Sequence, residues 1–181
     1  MVIVLFSCFK WLLCDQCLAS RYNKGVKSRV WSVLKRSDLV VQVVPYLNFP
    51  NTKEVLAFYE KLGANVKEMI LANDAIFADM PENERPDNPS NFVMNASIEV
   101  LGNVIFMSDS WGNKAVDHEG ANLSFVFDQN DATEVARVKD FFQQAIELGC
   151  EETMPLAPSG WSELFGIFKD PYGISWMFSG E

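Results

Sequence analysis

The stretch W-S-E-L-F-G-I-F-K-D-P-Y-G-I-S-W-M, residues 161–177, decides the fold of this chain. Its pattern predicts a β-hairpin, in which residues 164–169 form one strand and residues 174–179 form the next. The D-P-Y-G sequence between them suits a tight turn, because proline favours the second position of such a turn and glycine its last. The hairpin is therefore expected to close a sheet whose other strands lie earlier in the chain.

Composition and charge limit what the chain can be. Half of its 181 residues are apolar, which is enough for a buried core and excludes a disordered protein. The net charge of −9 is uneven: residues 1–38 contain seven Lys or Arg and two Asp, and residues 39–181 contain eight basic and twenty-two acidic residues. An acidic domain without a basic stripe is a poor partner for nucleic acid or an anionic membrane, so we expect neither.

The basic N-terminal segment, residues 1–38, is predicted to lie outside the fold, which then comprises residues 39–181. Its Cys14 and Cys17 form a C-x-x-C pair, but no second pair completes a metal site and no βαβ pattern surrounds it. Its first apolar run is interrupted by Lys10 and is shorter than the ~20 residues of a membrane span. The positive charges follow this run, unlike those of a secretory signal, so a cytoplasmic location is expected.

From residue 41 onward one pattern occurs twice. A strand over 41–49 is followed by a helix that starts at Asn51 and ends at Gly63, and a strand over 121–127 is followed by a helix that starts at Asp131 and ends at Gly149. Further strands are predicted at 65–71, 92–100 and 103–108 in the first half, with a short one near 75–78, and at 151–154, 164–169 and 174–179 in the second. Residues 81–91, which contain three prolines, are predicted to form a mobile loop.

Each half is therefore one βαβββ module, the first about 41–110 and the second about 119–181. Such a module cannot bury both its sheet and its helix alone, so two modules are expected to pack together. The predicted class is α+β, with a continuous curved mixed sheet and the helices outside it.

Several motifs resemble PhnB-like proteins. They are V-V-P-Y-L-N-F at 43–49, F-Y-x-x-L-G-A at 58–64, M-x-A-x-I-E-V-x-G-N at 94–103, M-S-D at 107–109, and the pattern of Trp, Phe, Gly and Asp in the closing hairpin. PhnB-like proteins belong to the vicinal oxygen chelate superfamily, together with glyoxalase, bleomycin resistance proteins and extradiol dioxygenases such as dihydroxybiphenyl dioxygenase. The resemblance implies the glyoxalase-like fold and a cavity lined by the paired modules.

The resemblance also implies where active members hold a divalent metal, through His and Glu on strand positions. The corresponding positions here carry Val44 and Pro45, Ala121 and Asn122, Trp176 or Met177, and Asn95 where many relatives place a histidine. Val, Pro and Met are not ligands for a hard metal ion. We therefore predict that the usual metal site is absent and that no cofactor is bound.

A replacement metal site is the alternative. Asp109, His118 and Glu119 lie close in sequence at the junction of the modules, and a histidine with carboxylates can bind zinc or manganese. The competing interpretation is a solvated acidic linker, because Gly112, Asn113 and Gly120 favour turns.

Two functions remain open. One is a metal-free protein that binds a small apolar or aromatic molecule in the cavity between modules, and the other is a glyoxalase-like or dioxygenase-like enzyme that uses the Asp109, His118 and Glu119 site. The predicted ligand-binding residues are Tyr46, Asn48, Asn95, Met107, Asp109, Asn122, Ser124, Trp161, Phe165 and Met177. Cys150 is interpreted as a core residue. A homodimer is expected, because superfamily members commonly dimerise and the sheets have exposed edges.

Overall fold

The computed structural model describes residues 42–181. Two modules follow one another along this part of the chain, each with the order strand, helix, three strands. The elements are β1 (Tyr46–Phe49), α1 (Thr52–Lys61), β2 (Asn65–Leu71), β3 (Val93–Val100), β4 (Asn103–Asp109), β5 (Asn122–Phe127), α2 (Ala132–Glu147), β6 (Glu151–Ala157), β7 (Phe165–Lys169) and β8 (Ser175–Gly180). Short 3-10 turns lie at Ala75–Phe77, Glu82–Glu84 and Trp111–Asn113.

The strands form two four-stranded sheets of identical topology. Sheet one has the order β1-β4-β3-β2 and sheet two the order β5-β8-β7-β6. In each sheet the first strand of the module runs parallel to the last, and the remaining neighbours are antiparallel. The helix in each module connects the first strand to the second, β1 to β2 and β5 to β6, which lie at opposite edges of their sheet.

Both helices begin and end at the predicted positions, although the predicted side-chain cap forms only at the start of α2 and not at Asn51. At the start of α2, Asp131 accepts hydrogen bonds from the backbone N–H groups of Thr133 and Glu134 at 2.7 and 3.3 Å. The two helices end at Gly63 and Gly149, whose φ values of +95° and +92° lie in the region that favours glycine. Leu62-Gly63 and Leu148-Gly149 are thus equivalent helix ends in the two modules.

One apolar core serves both modules. It contains residues from both helices and from one face of each sheet, among them Phe49, Tyr59, Phe141 and Trp176. Ring contacts cross the module boundary: Tyr59 of α1 lies edge-to-face on Trp176 of β8, with centroids 5.4 Å apart. Gln144 of α2 also donates a hydrogen bond of 2.6 Å to the backbone carbonyl of Lys61. The faces of the two sheets that do not contribute to this core therefore point away from it.

The predicted class and the two-module plan are confirmed, while several details differ. The strands form two sheets instead of one continuous sheet: no strand of β1–β4 pairs with a strand of β5–β8 among the described residues. Residues 75–77 form a 3-10 turn and not a strand, with the Asp74 carboxylate accepting a hydrogen bond from the Ile76 N–H. Strand β1 starts at Tyr46 and not at residue 41, directly after Pro45, which has no N–H to donate.

Strand β6 also extends beyond its predicted end, through Pro155 to Ala157. Proline is tolerated there because β6 is an edge strand of sheet two. Among residues 42–181, no helix is long and apolar enough to cross a membrane. The predictions for residues 1–38, including the Cys14 and Cys17 pair, lie outside the described residues.

Candidate open-face site

Each sheet has an open face, which we define as the face turned away from the shared core. On sheet one, register pairs Tyr46 with Phe106, Asn48 with Ser108, and Phe106 with Ser97. Because opposite residues in paired strands point to the same side, these side chains share one face. The open face of sheet one is lined by Tyr46, Asn48, Glu68, Ile70, Asn95, Ser97, Glu99, Phe106 and Ser108.

The predicted residues Tyr46, Asn48 and Asn95 come together on this face. The Asn48 side-chain amide donates a hydrogen bond of 2.8 Å to the Ser108 hydroxyl. The Asn95 amide lies 3.5 Å from the Tyr46 hydroxyl, and the Tyr46 ring packs edge-to-face on Phe106 with centroids 6.5 Å apart. An aromatic pair flanked by neutral amides and hydroxyls can hold a planar molecule and orient its polar groups.

The open face of sheet two holds the other predicted group. Register pairs Asn122 with Ser175 and Ser124 with Met177. Phe165 is paired with Ser179 on the same face and is 7% exposed, because Trp161 covers it edge-to-face at 5.3 Å. Trp161 itself is 71% exposed, which is unusual for the largest apolar side chain.

Two predicted ligand-binding residues lie elsewhere. Met107 alternates with Phe106 and Ser108, so its side chain points into the core, where it is fully buried. The Asp109 carboxylate is also buried and accepts hydrogen bonds from the backbone N–H groups of Thr52 at 2.6 Å and Val93 at 2.8 Å. Both residues therefore support the fold and face away from a ligand on the open face. On β4, the residues on the open face are instead Phe106 and Ser108, which the sequence analysis does not name. Two-residue alternation along the strand is the signal that could have identified them.

The residues of the alternative metal site do not converge. The His118 ring lies against Phe49 with centroids 5.2 Å apart, and its Nε2 is 3.1 Å from the carbonyl oxygen of Asn48. Asp109 is engaged at the start of α1, and Glu119 is exposed. Within residues 42–181, no three His, Cys, Asp or Glu side chains are placed to hold a metal ion together. The structure thus holds Asp109, His118 and Glu119 in separate environments.

A buried polar cluster around Asp170 was also missed. The Asp170 side chain is 4% exposed and accepts four hydrogen bonds: from Tyr59 Oη at 2.7 Å, from Trp176 Nε1 at 3.0 Å, and from the backbone N–H groups of Tyr172 and Ile174, both at 2.9 Å. Burial, and then the neighbouring Asp170 charge, raises the pKa of Tyr59 well above its usual range. Tyr59 is therefore a neutral donor that ties α1 of the first module to the D-P-Y-G turn of the second.

The Cys150 thiol is not placed to act as a nucleophile. It is buried in the core, and this burial raises its pKa to about 12. Since the thiolate is the reactive form, the thiol is unreactive near neutral pH. Its interpretation as a core residue agrees with its position.

A groove of about 360 Å³ lies beside the C-terminal end of α1. Its lining comes from both modules and includes Leu62, Glu99, Arg137 and Phe141. None of the ten predicted ligand-binding residues lines it. A ligand held by those residues would therefore lie on the open faces and not in this groove.

Comparison with known proteins gives the same fold. Residues 40–178 match a family model described as Glyoxalase/Bleomycin resistance protein/Dioxygenase superfamily. Protein PA1353 from Pseudomonas aeruginosa is 28% identical, with a TM-score of 0.58 over 78% of this chain and 98% of that one. A PhnB protein from Bacillus cereus, described as a putative 3-demethylubiquinone-9 3-methyltransferase, is 18% identical, with a TM-score of 0.51 over 78% of this chain and all of that one. No curated protein matches the chain.

Proposed function

Because the chain belongs to the glyoxalase/bleomycin resistance protein/dioxygenase superfamily, we propose that it binds a small apolar or aromatic molecule without a metal ion. The observation that carries this proposal is the chemistry of the open faces. Aromatic side chains lie there beside neutral amides and hydroxyls, as in Tyr46, Asn48 and Phe106 of sheet one. Apolar walls with a few placed polar groups are typical of small-molecule sites.

The donors on the paired first and last strands do not suit a divalent metal. Sheet one offers Asn48 with Ser108, and sheet two offers Asn122 with Ser175 and Ser124 with Met177. These are neutral amides, hydroxyls and a thioether, whereas Zn²⁺ and Mn²⁺ prefer imidazole, thiolate or carboxylate ligands. The Asn48 amide is in addition already committed to Ser108. The donor set supports binding without a metal over a Lewis-acid enzyme.

The test measures the binding of a neutral aromatic probe, 1-naphthalenemethanol, by isothermal titration calorimetry. We expect Trp161→Ala to weaken its binding about three- to tenfold, because one aromatic contact is worth about 0.5–1.5 kcal/mol. Trp111→Ala is the matched control: Trp111 packs on Phe92, both residues lie outside the strands that form the open faces, and the substitution should leave the affinity unchanged. Equal effects of the two substitutions would contradict the site, and elemental analysis that finds a stoichiometric metal would contradict the metal-free proposal.

The ligand is proposed to lie between two copies of the chain. Both sheets place one face in a single core, so their open faces point away from each other's module and one chain does not enclose the ligand. Large apolar side chains are exposed on or beside these faces, with Tyr46 43% exposed, Val126 59% and Trp161 71%. Exposed apolar side chains grouped in this way are typical of interfaces. A homodimer that joins sheet one of one copy to sheet two of the other would cover them.

We expect light scattering at micromolar protein to give twice the mass of the chain. Val126→Glu places a charge on the open face of sheet two and should shift the protein towards monomer. Ala57→Glu introduces the same charge on the exposed side of α1 and should leave the dimer intact. A parent protein that is monomeric at this concentration refutes the dimer.

A further inference from the structure

Glu68 lies on the open face of sheet one, and its carboxylate forms no ion pair with any residue in the described range, 42–181. It lies on β2 directly opposite Ser97 of β3 and is half-buried. The neighbouring carboxylate, Glu99, is neutralised by Lys67 at 3.2 Å, and this is the single ion pair among residues 42–181. The uncompensated negative charge on this face therefore belongs to Glu68.

Ser97 supplies a second, independent observation at the same place. The residue is 2% exposed, and its hydroxyl has no hydrogen-bond partner among the described residues. Buried polar groups in folded proteins are normally hydrogen-bonded, so an unpaired one calls for an explanation, and a bound group that completes the pairing is one such explanation. Because directly opposite residues in an antiparallel pair have Cβ atoms about 5 Å apart, the Ser97 hydroxyl and the Glu68 carboxylate can contact one bound group.

Aromatic side chains continue the row from Ser97 across the sheet. Phe106 lies opposite Ser97 on β4, and Tyr46 lies opposite Phe106 on β1. The Asn95 amide, two residues before Ser97 on the same face, lies beside the Tyr46 hydroxyl. A carboxylate in line with aromatic side chains suits an ammonium group that is attached to a ring, because the carboxylate pairs with the charge and the aromatic side chains pack on the ring.

We propose that this row across the open face, formed by Glu68, Ser97 and the Tyr46–Phe106 pair, binds an aromatic amine. The inference rests on the proposed function and specifies its ligand class: the ring of the amine packs on the aromatic side chains, and its ammonium group donates to Glu68 and Ser97. The competing occupant is a lysine from the second copy, such as Lys169, which is half-buried on the open face of sheet two.

Three probes with one ring system separate the contributions of ring and charge. They are 1-naphthylmethylamine, 1-naphthalenemethanol and 1-naphthoate, titrated calorimetrically into the full-length protein near neutral pH. We expect the amine to bind at least tenfold more tightly than the alcohol, because hydrogen bonds to charged groups are worth about 1.5–3 kcal/mol. The carboxylate should bind most weakly, since it is repelled by Glu68.

Glu68→Gln is expected to remove the preference for the amine and to leave the affinity for the alcohol unchanged. Glu60→Gln is the matched control, because it removes the same charge from the exposed side of α1. Ser97→Ala should lower the affinity for 1-naphthylmethylamine about threefold. It should not lower thermal stability, since the removed hydroxyl is unpaired; a purely structural role would predict a loss of stability.

Equal binding of amine and alcohol, in the parent and in Glu68→Gln, would overturn this inference and leave the proposed function standing. Binding of none of the three probes would overturn both. If Glu68→Gln instead weakens the dimer in light scattering and does not change the preference among probes, the carboxylate pairs with a lysine of the second copy and the amine site is wrong.

Discussion

Replacing Asp170 by asparagine is expected to lower the free energy of unfolding by about 3 kcal/mol. Both carboxylate oxygens are used as acceptors, one by the backbone N–H groups of Tyr172 and Ile174 and the other by Tyr59 Oη and Trp176 Nε1. An asparagine has one acceptor oxygen, and its NH₂ group would face donors. At least one pair of buried donors would therefore be left unpaired.

Urea unfolding measures this loss, and a double-mutant cycle with Tyr59→Phe locates it. Tyr59→Phe alone should cost about 1 kcal/mol, and less when Asp170 is already asparagine, because the two residues share one hydrogen bond. Asp140→Asn, on the exposed side of α2, is the control and should change stability by less than about 0.5 kcal/mol. Additive effects of Tyr59→Phe and Asp170→Asn would mean that the bond across the modules is not stabilising.

Asp109→Asn is expected to lower the free energy of unfolding by about 2–3 kcal/mol. The carboxylate joins three segments, since it ends β4, accepts from Thr52 at the start of α1 and accepts from Val93 at the start of β3. Asn51, at the helix start, makes no side-chain capping bond, so Asp109 supplies this function from a neighbouring strand. Its negative charge also stabilises the N-terminal end of the helix dipole.

The matched control is Glu119→Gln, which belongs to the same alternative metal set but lies exposed between the modules. It should change stability by less than about 0.5 kcal/mol. Urea unfolding measures the free energy of unfolding of both variants and so compares a buried acceptor, Asp109, with an exposed carboxylate, Glu119. If both substitutions lowered the free energy of unfolding by the same amount, Asp109 would not be a structural acceptor.

The local patterns of the chain were sufficient for the fold. Apolar periodicity, the helix starts at Asn51 and Asp131, and the glycines at the helix ends all act within a few residues, so they predict element type and order. The repeated order then predicted two modules. The errors at residues 75–77 and β6 are in short or edge elements, where tertiary packing outweighs local preference.

The candidate site was predicted less completely. Tyr46, Asn48 and Asn95 were chosen for their residue types, and alternation places them on one face. The same reasoning also predicts Met107 and Asp109, but both point to the core, because alternation along β4 places them on the face opposite to Phe106 and Ser108. Glu68 and Ser97 were missed, since their relation exists only through the pairing of β2 with β3.

The closing hairpin, with its turn at Asp170 to Gly173, shows what local sequence determines and what only the tertiary structure decides. The sequence by itself determined that residues 161–177 contain two strands around a tight turn and that the βαβββ order occurs twice. Only the tertiary structure decided what Asp170 does, which faces are open, and that one core joins the modules. Local propensity acts between neighbours in the chain, whereas a hydrogen bond such as that from Tyr59 to Asp170 joins residues that only folding brings together.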